Sequence, residues 1–231
     1  MCRKVESPPI PKCQLQSNRS TNLTGFVLAG GASRRMGRPK ESLQLDGESM
    51  LERQIRVLRS VAGRVFVAGE PMDYLGKLGI PTIPDAITGR GPLGGIYTAL
   101  LESRTEFNLV LGCDLPFVTR NLLACLMVRA MAGGTDVTVP RTPDGRLQPL
   151  CAVYRRRALY AVRTRLALGL NKLSDFFPMV RFAAIPWRDL VGAGIRPCEF
   201  ENMNTPQDYE RARRRIEGQA AGLANYKQTL V

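Results

Sequence analysis

The chain has 231 residues, of which 44% are hydrophobic, and this length and composition suit one good-sized α/β domain. It contains no histidine, which excludes Ser-His-Asp and Cys-His nucleophilic systems, histidine general bases and zinc sites built on imidazole. Any chemistry must therefore rest on carboxylates, lysine, arginine, hydroxyls, thiols or a hard metal ion.

The formal net charge of +13 predicts affinity for nucleic acid, an acidic membrane surface or phosphorylated small molecules. The basic runs at 155–157 and 211–215 lie in predicted helices without interleaved aromatic residues, which favours solvated helix faces over nucleic-acid binding. The six cysteines form no C-x-x-C pair, and no membrane span or signal peptide is present. We expect a cytoplasmic monomer that binds neither nucleic acid nor a membrane.

Residues 1–23 are polar and contain several prolines, and they are predicted to be a disordered tail. After this tail, predicted strands and helices alternate. The pattern predicts strands at 25–29, 64–68, 81–83, 107–112 and 135–139, and helices at 50–62, 71–77, 94–103 and 119–132. Such alternation is typical of right-handed βαβ units and a mainly parallel sheet. A Ser-x-x-Glu capping box at Ser49 and Glu52 marks the start of the first helix.

The second half is less regular. Pro143-Asp144-Gly145-Arg146 predicts a turn before a strand near 147–154. Further predictions are helices at 155–168, 171–177 and 206–217, a strand at 181–186 and a loop at 187–198. We expect one domain over residues 24–217, followed by a flexible tail over residues 218–231.

A glycine-rich, basic segment follows the first predicted strand and reads Leu28-Ala29-Gly30-Gly31-Ala32-Ser33-Arg34-Arg35-Met36-Gly37-Arg38-Pro39-Lys40. Open α/β sheets bind ligands where their strands end, and glycines let backbone N–H groups approach a phosphate closely. Neither the P-loop pattern nor G-x-G-x-x-G is present. The segment predicts a polyphosphate site; the alternative is a surface turn with solvated arginines.

An aspartate, Asp114, ends the apolar run 107–112 and precedes Pro116. It is expected at the same sheet edge as the glycine-rich segment. A carboxylate would normally repel a triphosphate, and the usual remedy is Mg²⁺ held between the two, because Mg²⁺ prefers carboxylate and phosphate oxygens. The alternative is that Asp114 only caps the turn before the proline.

Two further segments carry polar groups after predicted strands. Asp85 precedes Gly89-Arg90-Gly91-Pro92-Leu93-Gly94-Gly95, and Asn202 begins Asn202-Met203-Asn204-Thr205-Pro206-Gln207-Asp208. Each segment also has a purely structural interpretation. The first is then an ordinary loop, and the second serves only to cap a helix through Asn204 or Thr205.

Together these four segments resemble the molybdenum cofactor guanylyltransferases, a MobA-like branch of the nucleotidyltransferases. Residues 28–40 are similar to that family's Leu-Ala-Gly-Gly-x-Ser-x-Arg-Met-Gly-x-x-Lys signature, and the other three segments follow in the family's order. The resemblance spans residues 24–217 and implies a three-layer α/β/α, Rossmann-like GT-A fold. One departure is Ala68-Gly69-Glu70, where the family can carry an asparagine.

The resemblance implies GTP and molybdopterin as substrates. A terminal phosphate oxygen of molybdopterin, with or without molybdenum, would attack the α-phosphorus of GTP, release pyrophosphate and form the guanine dinucleotide cofactor. Arg35, Lys40 and Asp114 would be catalytic, with Asp114 holding Mg²⁺. Nucleotide contacts would come from Lys40 and Asp114 and from a wider set: Leu28, Ala29, Gly30, Gly31, Asp85 and Asn202. Proteins that deliver molybdopterin, or apo-molybdoenzymes, are expected as transient partners.

Several alternatives remain open on the sequence. A cytidylyltransferase acting on the same pterin usually has Ala-Ala-Gly where this chain has Ala29-Gly30-Gly31, so the sequence favours GTP. A sugar-phosphate nucleotidyltransferase is a more distant alternative. Outside catalysis, the chain could be a nucleotide-binding regulator or a basic nucleic-acid-binding protein that kept the fold.

Overall fold

A computed structural model describes residues 20–30, 42–70, 76 and 79–228, the last ten of these as helical backbone only. The main sheet has seven strands in the spatial order β5-β4-β1-β6-β8-β7-β9. These strands are β1 (Ser20–Leu28), β4 (Ala62–Ala68), β5 (Thr82–Ile83), β6 (Phe107–Gly112), β7 (Val137–Pro140), β8 (Cys151–Arg155) and β9 (Phe182–Ile185). A separate small hairpin consists of β2 (Gln44–Leu45) and β3 (Glu48–Ser49).

The sheet is mainly parallel, as predicted. All neighbouring pairs are parallel except those of β8, which runs antiparallel to both β6 and β7. The predicted turn at Pro143–Arg146 makes the reversal into β8, and Gly145 adopts a φ of +82° there, a value that favours glycine. The carboxyl ends of the six parallel strands therefore share one edge with the start of β8.

Helices cover both faces of the sheet. They are α1 (Met50–Arg59), α2 (Gly91–Glu102), α3 (Arg120–Ala132), α4 (Leu159–Ala167), α5 (Trp187–Gly192) and α6 (Pro206–Gln228). The apolar side chains of α1 and α3 pack with Leu109 and Leu111 of β6, whereas those of α2 and α4 pack with Val110 on the other face. This alternation along β6 is the period-two pattern of a strand buried on both sides. The three-layer α/β/α expectation is confirmed.

A third, smaller core joins α6 to the edge of the sheet. Leu45, Met50, Met203 and Ala212 are buried together, and Tyr209 packs beside them and donates a hydrogen bond from its hydroxyl to the Gln44 carbonyl at 2.8 Å. Helix α6 therefore contacts the hairpin that follows the glycine-rich segment.

The structure corrects several predicted boundaries. Residues 20–23 belong to β1 and pair with β4 and β6, so the amino-terminal tail predicted over 1–23 is too long. The segment 187–198, predicted as a loop, contains α5, and the helix predicted over 171–177 is two short 3₁₀ turns. Helix α6 continues to Gln228, so residues 218–228, predicted as a flexible tail, have helical backbone. Residues 1–19 and nearly all of the predicted helix 71–77 lie outside the described residues.

Candidate active site

The predicted site residues begin where the two central strands end. Leu28 of β1 pairs with Gly112 of β6 in parallel register, so Gly30 and Asp114 both lie just beyond the same sheet edge. Gly30 has a φ of +139°, which only glycine adopts readily. The structure thus brings the start of the glycine-rich segment and the candidate metal ligand to neighbouring strand ends. Gly31, Arg35 and Lys40 lie outside the described residues.

Two hydrogen bonds fix the backbone around Asp114. The Asp114 carbonyl accepts a hydrogen bond from the Met203 N–H at 2.8 Å, and the next carbonyl, of Leu115, accepts one from the buried Gln54 side chain at 2.6 Å. A Cβ at Gly112 would lie 2.8 Å from Asp114 Oδ1, so glycine makes room for the carboxylate. Asp114 itself is half-buried. The carboxylate is therefore carried on a turn with little freedom to move.

Gly69, in the segment that departs from the family sequence, lies at the neighbouring strand end. Gly69 has a φ of +145°, and a Cβ there would lie 1.7 Å from the Ala29 carbonyl oxygen, so no side chain fits at position 69. The Ala29 N–H donates to the Ala68 carbonyl at 2.9 Å. The N–H of Ala29 is thus already used within the sheet. Any contact between residue 69 and a ligand would have to come from the backbone of Gly69.

Asp85 lies at the outer end of this edge, beyond β5. Since strands are spaced about 4.8 Å apart, it stands three strand positions, roughly 14 Å, from the end of β6. Its following residue is tethered because the Ala86 N–H donates to the hydroxyl of Thr98, a fully buried residue of α2, at 3.0 Å. Burial, and secondarily the negative charge of Glu70, raise the pKa of Asp85. Because burial disfavours the charged form of this carboxyl group, a hydrogen-bond donor on a ligand would stabilise the carboxylate.

The amino-terminal end of α2 faces this edge as well. Gly91 begins the helix with a φ of +58°, and a Cβ at Gly95 would lie 3.1 Å from the Leu28 side chain. Gly95 therefore lets α2 pack closely over the end of β1. The N–H groups at the start of a helix attract anions, so the placement of α2 suits a phosphate.

Asn202 comes to the edge on the segment that precedes α6. The carboxylate of Asp208 accepts hydrogen bonds from the N–H groups of Asn204 and Thr205, at 3.1 and 2.9 Å, while the Thr205 hydroxyl accepts from the Asp208 N–H. The helix-capping interpretation of this motif is thus confirmed, and it coexists with an exposed Asn202 beside the Asp114 turn. The Asn202 carboxamide oxygen accepts a hydrogen bond from Gln148 at 3.3 Å.

The oxygen ligands at this edge suit a hard cation whose coordination shell is completed by the substrate. Within the part of the chain that the structure describes, no group of three or more His, Cys, Asp or Glu side chains could hold a metal ion by itself. One rigid carboxylate at a phosphate-binding edge is nevertheless how Mg²⁺ is commonly held, since it keeps several waters and takes its other ligands from phosphate oxygens. Asp114 therefore fits Mg²⁺ bound together with a nucleotide.

Sequence patterns did not reveal the residues that support the site. Gln54, Thr98 and Gln148 each bond a site segment from a different part of the chain. For Gln54 the only signal was a polar residue on the apolar stripe of α1, where a buried partner is to be expected.

This arrangement has counterparts among known proteins. Residues 25–179 match the MobA-like NTP transferase domain. The chain belongs to this family. It is 37% identical over 199 residues to the "Probable molybdenum cofactor guanylyltransferase" of Pelotomaculum thermopropionicum, covering 86% of this chain and 96% of that protein. It is 32% identical over 197 residues to the molybdenum cofactor guanylyltransferase of Desulfosudis oleivorans, covering 84% and 96%.

Solved structures share the MobA-like fold. The molybdopterin-guanine dinucleotide biosynthesis protein A of Archaeoglobus fulgidus is 24% identical and superposes with a TM-score of 0.74, covering 84% of this chain and 99% of that one. The 2-C-methyl-D-erythritol 4-phosphate cytidylyltransferase of Thermus thermophilus is 20% identical, with a TM-score of 0.61 and coverage of 84% and 98%. At these identities the likeness concerns the fold. The resemblance inferred from the sequence is confirmed at the level of the family.

The MobA-like match ends at residue 179, before α5 and α6. The segment that carries Asn202 therefore lies outside the matched range, although it packs against the Asp114 turn. None of the helices among the described residues is long and apolar enough to span a membrane.

Proposed function

We propose that this protein is a molybdenum cofactor guanylyltransferase, which transfers GMP from GTP to the terminal phosphate of molybdopterin and releases pyrophosphate. The observation that carries the proposal is the meeting of Gly30 and Asp114 at adjoining strand ends, in a chain whose relatives are named for this activity. The fold alone does not select the substrate, because the 2-C-methyl-D-erythritol 4-phosphate cytidylyltransferase shares it.

The proposed chemistry suits a site without histidine. A phosphate nucleophile is already ionised near neutral pH, so the reaction needs alignment and charge neutralisation more than a general base. Asp114 would hold Mg²⁺, which when bound neutralises charge on the triphosphate and the departing pyrophosphate. Arg35 and Lys40 would add positive charge from the glycine-rich segment.

The nucleoside would lie across the strand ends. Gly30 and Gly31, with the remaining backbone groups of Leu28 and Ala29, would contact the base, and Asp85 would accept a hydrogen bond from the nucleoside. The Ala29 N–H is already bonded to the Ala68 carbonyl and is not a free donor for the base. Asn202 would contact the phosphate side of the site.

The base preference is tested by product analysis. The protein would be incubated with molybdopterin, Mg²⁺ and GTP, CTP or ATP in turn, and pyrophosphate and the pterin dinucleotide would be measured. We expect product with GTP. A clear preference for CTP would favour the cytidylyltransferase, and GTP binding without pyrophosphate release would indicate a nucleotide-binding regulator.

The role of Asp114 is tested by Asp114→Asn, which keeps the side-chain shape but removes the charge. We expect Mg²⁺-dependent kcat/KM to fall by about 10²- to 10³-fold, as when one electrostatic contact to a transition state is lost. The matched control is Glu106→Gln, which removes a carboxylate just before β6, at the opposite sheet edge. Equal activity of wild type and Asp114→Asn would exclude the metal role, whereas equal losses in both variants would indicate a nonspecific charge effect.

A further inference from the structure

Two segments, residues 114–121 and 193–203, lie side by side next to the catalytic edge. Three hydrogen bonds, which we call the clamp, join them: Asn121 Nδ2 to the Ala193 carbonyl at 2.7 Å, the Thr119 hydroxyl to the Glu199 carboxylate at 2.6 Å, and the Met203 N–H to the Asp114 carbonyl at 2.8 Å. The partners follow one another in opposite directions along the chain, so the segments are antiparallel. Their site ends carry Asp114 and Asn202.

Glu199 makes the middle bond of the clamp, and it is only 2% exposed. Thr119 donates to one of its carboxylate oxygens, and the Arg196 N–H donates to the other at 3.1 Å. A carboxylate accepts at both oxygens, whereas the carboxamide of glutamine has one acceptor and one donor end. Replacement of Glu199 by glutamine therefore leaves either the Arg196 N–H or the Thr119 hydroxyl proton without an acceptor.

Thr119 is itself fixed at the start of α3. Its hydroxyl oxygen accepts from the Leu122 N–H at 3.3 Å and caps the helix, while its proton goes to Glu199. A hydrogen bond to an ionised carboxylate is stronger than one between neutral groups. The middle bond thus connects Glu199 to a helix start, five residues after Asp114.

Asn202 lies on the short stretch between two bonds of the clamp. Its side chain is exposed, but its neighbour Met203 is buried and bonded to the Asp114 carbonyl. On the other side, Phe200 is 7% exposed, and its ring centre lies 6.0 Å from that of Trp187. The clamp therefore sets the position of Asn202 relative to Asp114.

We propose that Glu199 is a positioning residue that holds Asn202 beside the Asp114 turn for contact with the substrate phosphates. The proposal rests on the proposed function only in requiring a nucleotide at this edge. Because Glu199 is buried and acts through Asn202, it needs no substrate contact of its own.

The test is GTP binding with Mg²⁺, measured by calorimetry without molybdopterin so that no transfer takes place. Glu199→Gln keeps the side-chain shape and removes one acceptor, and we expect the Kd of GTP to rise by about 3- to 10-fold, as when one polar contact is weakened. Thr119→Val, which removes the donor, should act in the same direction, and Thr119→Ser, which keeps it, should match the wild type. An unchanged Kd in Glu199→Gln would overturn the proposal.

A double-mutant cycle separates positioning from a general loss of structure. In the Asn202→Ala background, Glu199→Gln should change the Kd by less than about 2-fold. An effect that persists there at full size would refute action through Asn202.

The matched control is Asp136→Asn, which also replaces a carboxylate by a carboxamide. Asp136 precedes β7 at the opposite sheet edge and accepts from the Arg181 N–H at 2.9 Å. Both Glu199→Gln and Asp136→Asn should unfold at lower urea concentration, because each loses a hydrogen bond, but only Glu199→Gln should weaken GTP binding. Equal increases in Kd would show that lost charge or stability is responsible, which would overturn the positioning role.

Amide hydrogen exchange keeps this test separate from that of the proposed function, since it needs no nucleotide. We expect the Met203 amide to exchange about 10-fold faster in Glu199→Gln, because the clamp opens more often, while the amide of Val153 in β8 is unaffected. Unchanged exchange at Met203 would refute the clamp even in a protein that binds GTP. Absence of GTP binding to the wild type would instead overturn the nucleotide contact together with the proposed function.

Discussion

The Leu115 carbonyl accepts its hydrogen bond from Gln54, a side chain that is only 1% exposed within α1. We predict that Gln54→Leu lowers the free energy of unfolding by about 1–3 kcal/mol, because a buried carbonyl loses its donor. The substitution also frees the turn that carries Asp114, so KM for GTP should rise. Urea denaturation and steady-state kinetics measure the two effects.

The matched control is the same substitution at Gln44, an exposed residue of β2. Gln44→Leu should change the free energy of unfolding by no more than about 0.5 kcal/mol, as surface substitutions usually do. If both leucine variants unfold at the same urea concentration, the Gln54 hydrogen bond contributes nothing to stability.

At the scale of single residues, the sequence predicted the location of the candidate site residues better than the identity of the residues that support them. Gly30 and Asp114 were predictable because each follows an apolar strand, and parallel strands end at one edge. Gln54 and Gln148 were not, since their partners are a main-chain carbonyl and a side chain from distant segments. The requirement for glycine at position 69 was not predictable either, since it comes from the close approach of the Ala29 carbonyl on a neighbouring strand.

Helix α6 begins with a reciprocal cap between Thr205 and Asp208. We predict that Asp208→Ala lowers the free energy of unfolding by about 1 kcal/mol at pH 7, the usual cost of losing a cap. Burial opposes ionisation of Asp208, but hydrogen bonds from Thr205 and Asn204 outweigh it and hold the pKa below its ordinary value.

The pKa direction fixes the pH dependence of this effect. A carboxyl group with a lowered pKa in the folded state stabilises the fold above the unfolded-state pKa, and that contribution is lost as pH falls through the folded-state pKa. The stability difference between wild type and Asp208→Ala should therefore be constant from pH 7 to about pH 5, and shrink below the ordinary pKa of 3.8. Urea denaturation at several pH values measures it. A difference that grows on acidification would contradict the role of the ionised carboxylate.

At the scale of elements, local capping signals predicted helix starts well. Ser49 and Glu52 form the predicted capping box at the start of α1. Helix α5 was missed because it has only six residues and no side-chain cap, so neither periodicity nor capping marked it. The end of α6 was placed too early because residues 218–228 lack a clear apolar stripe, although their helix propensities are ordinary.

At the scale of the whole molecule, α6 belongs to the fold although the family match ends before it. Its Tyr209 and Ala212 share a core with Leu45 and Met50, which lie on either side of β3. The carboxyl-terminal segment therefore closes on the site from outside the matched range. A single cooperative domain is the expected consequence, as the sequence predicts for residues 24–217, and residues 20–23 join it through their pairing in β1.

Trp187, the only tryptophan in the chain, makes this expectation testable. It lies in α5, packs against the core shared by α1 and α3, and its ring centre is 6.0 Å from that of Phe200. Its fluorescence reports the carboxyl-terminal segment, while far-ultraviolet circular dichroism reports the helices as a whole. We predict that the two urea transitions coincide in the wild type, as two-state unfolding requires. In Tyr209→Phe, which removes the bond to Gln44, both midpoints should move together to lower urea. A fluorescence transition that precedes the circular dichroism transition would mean that the segment after residue 179 unfolds independently.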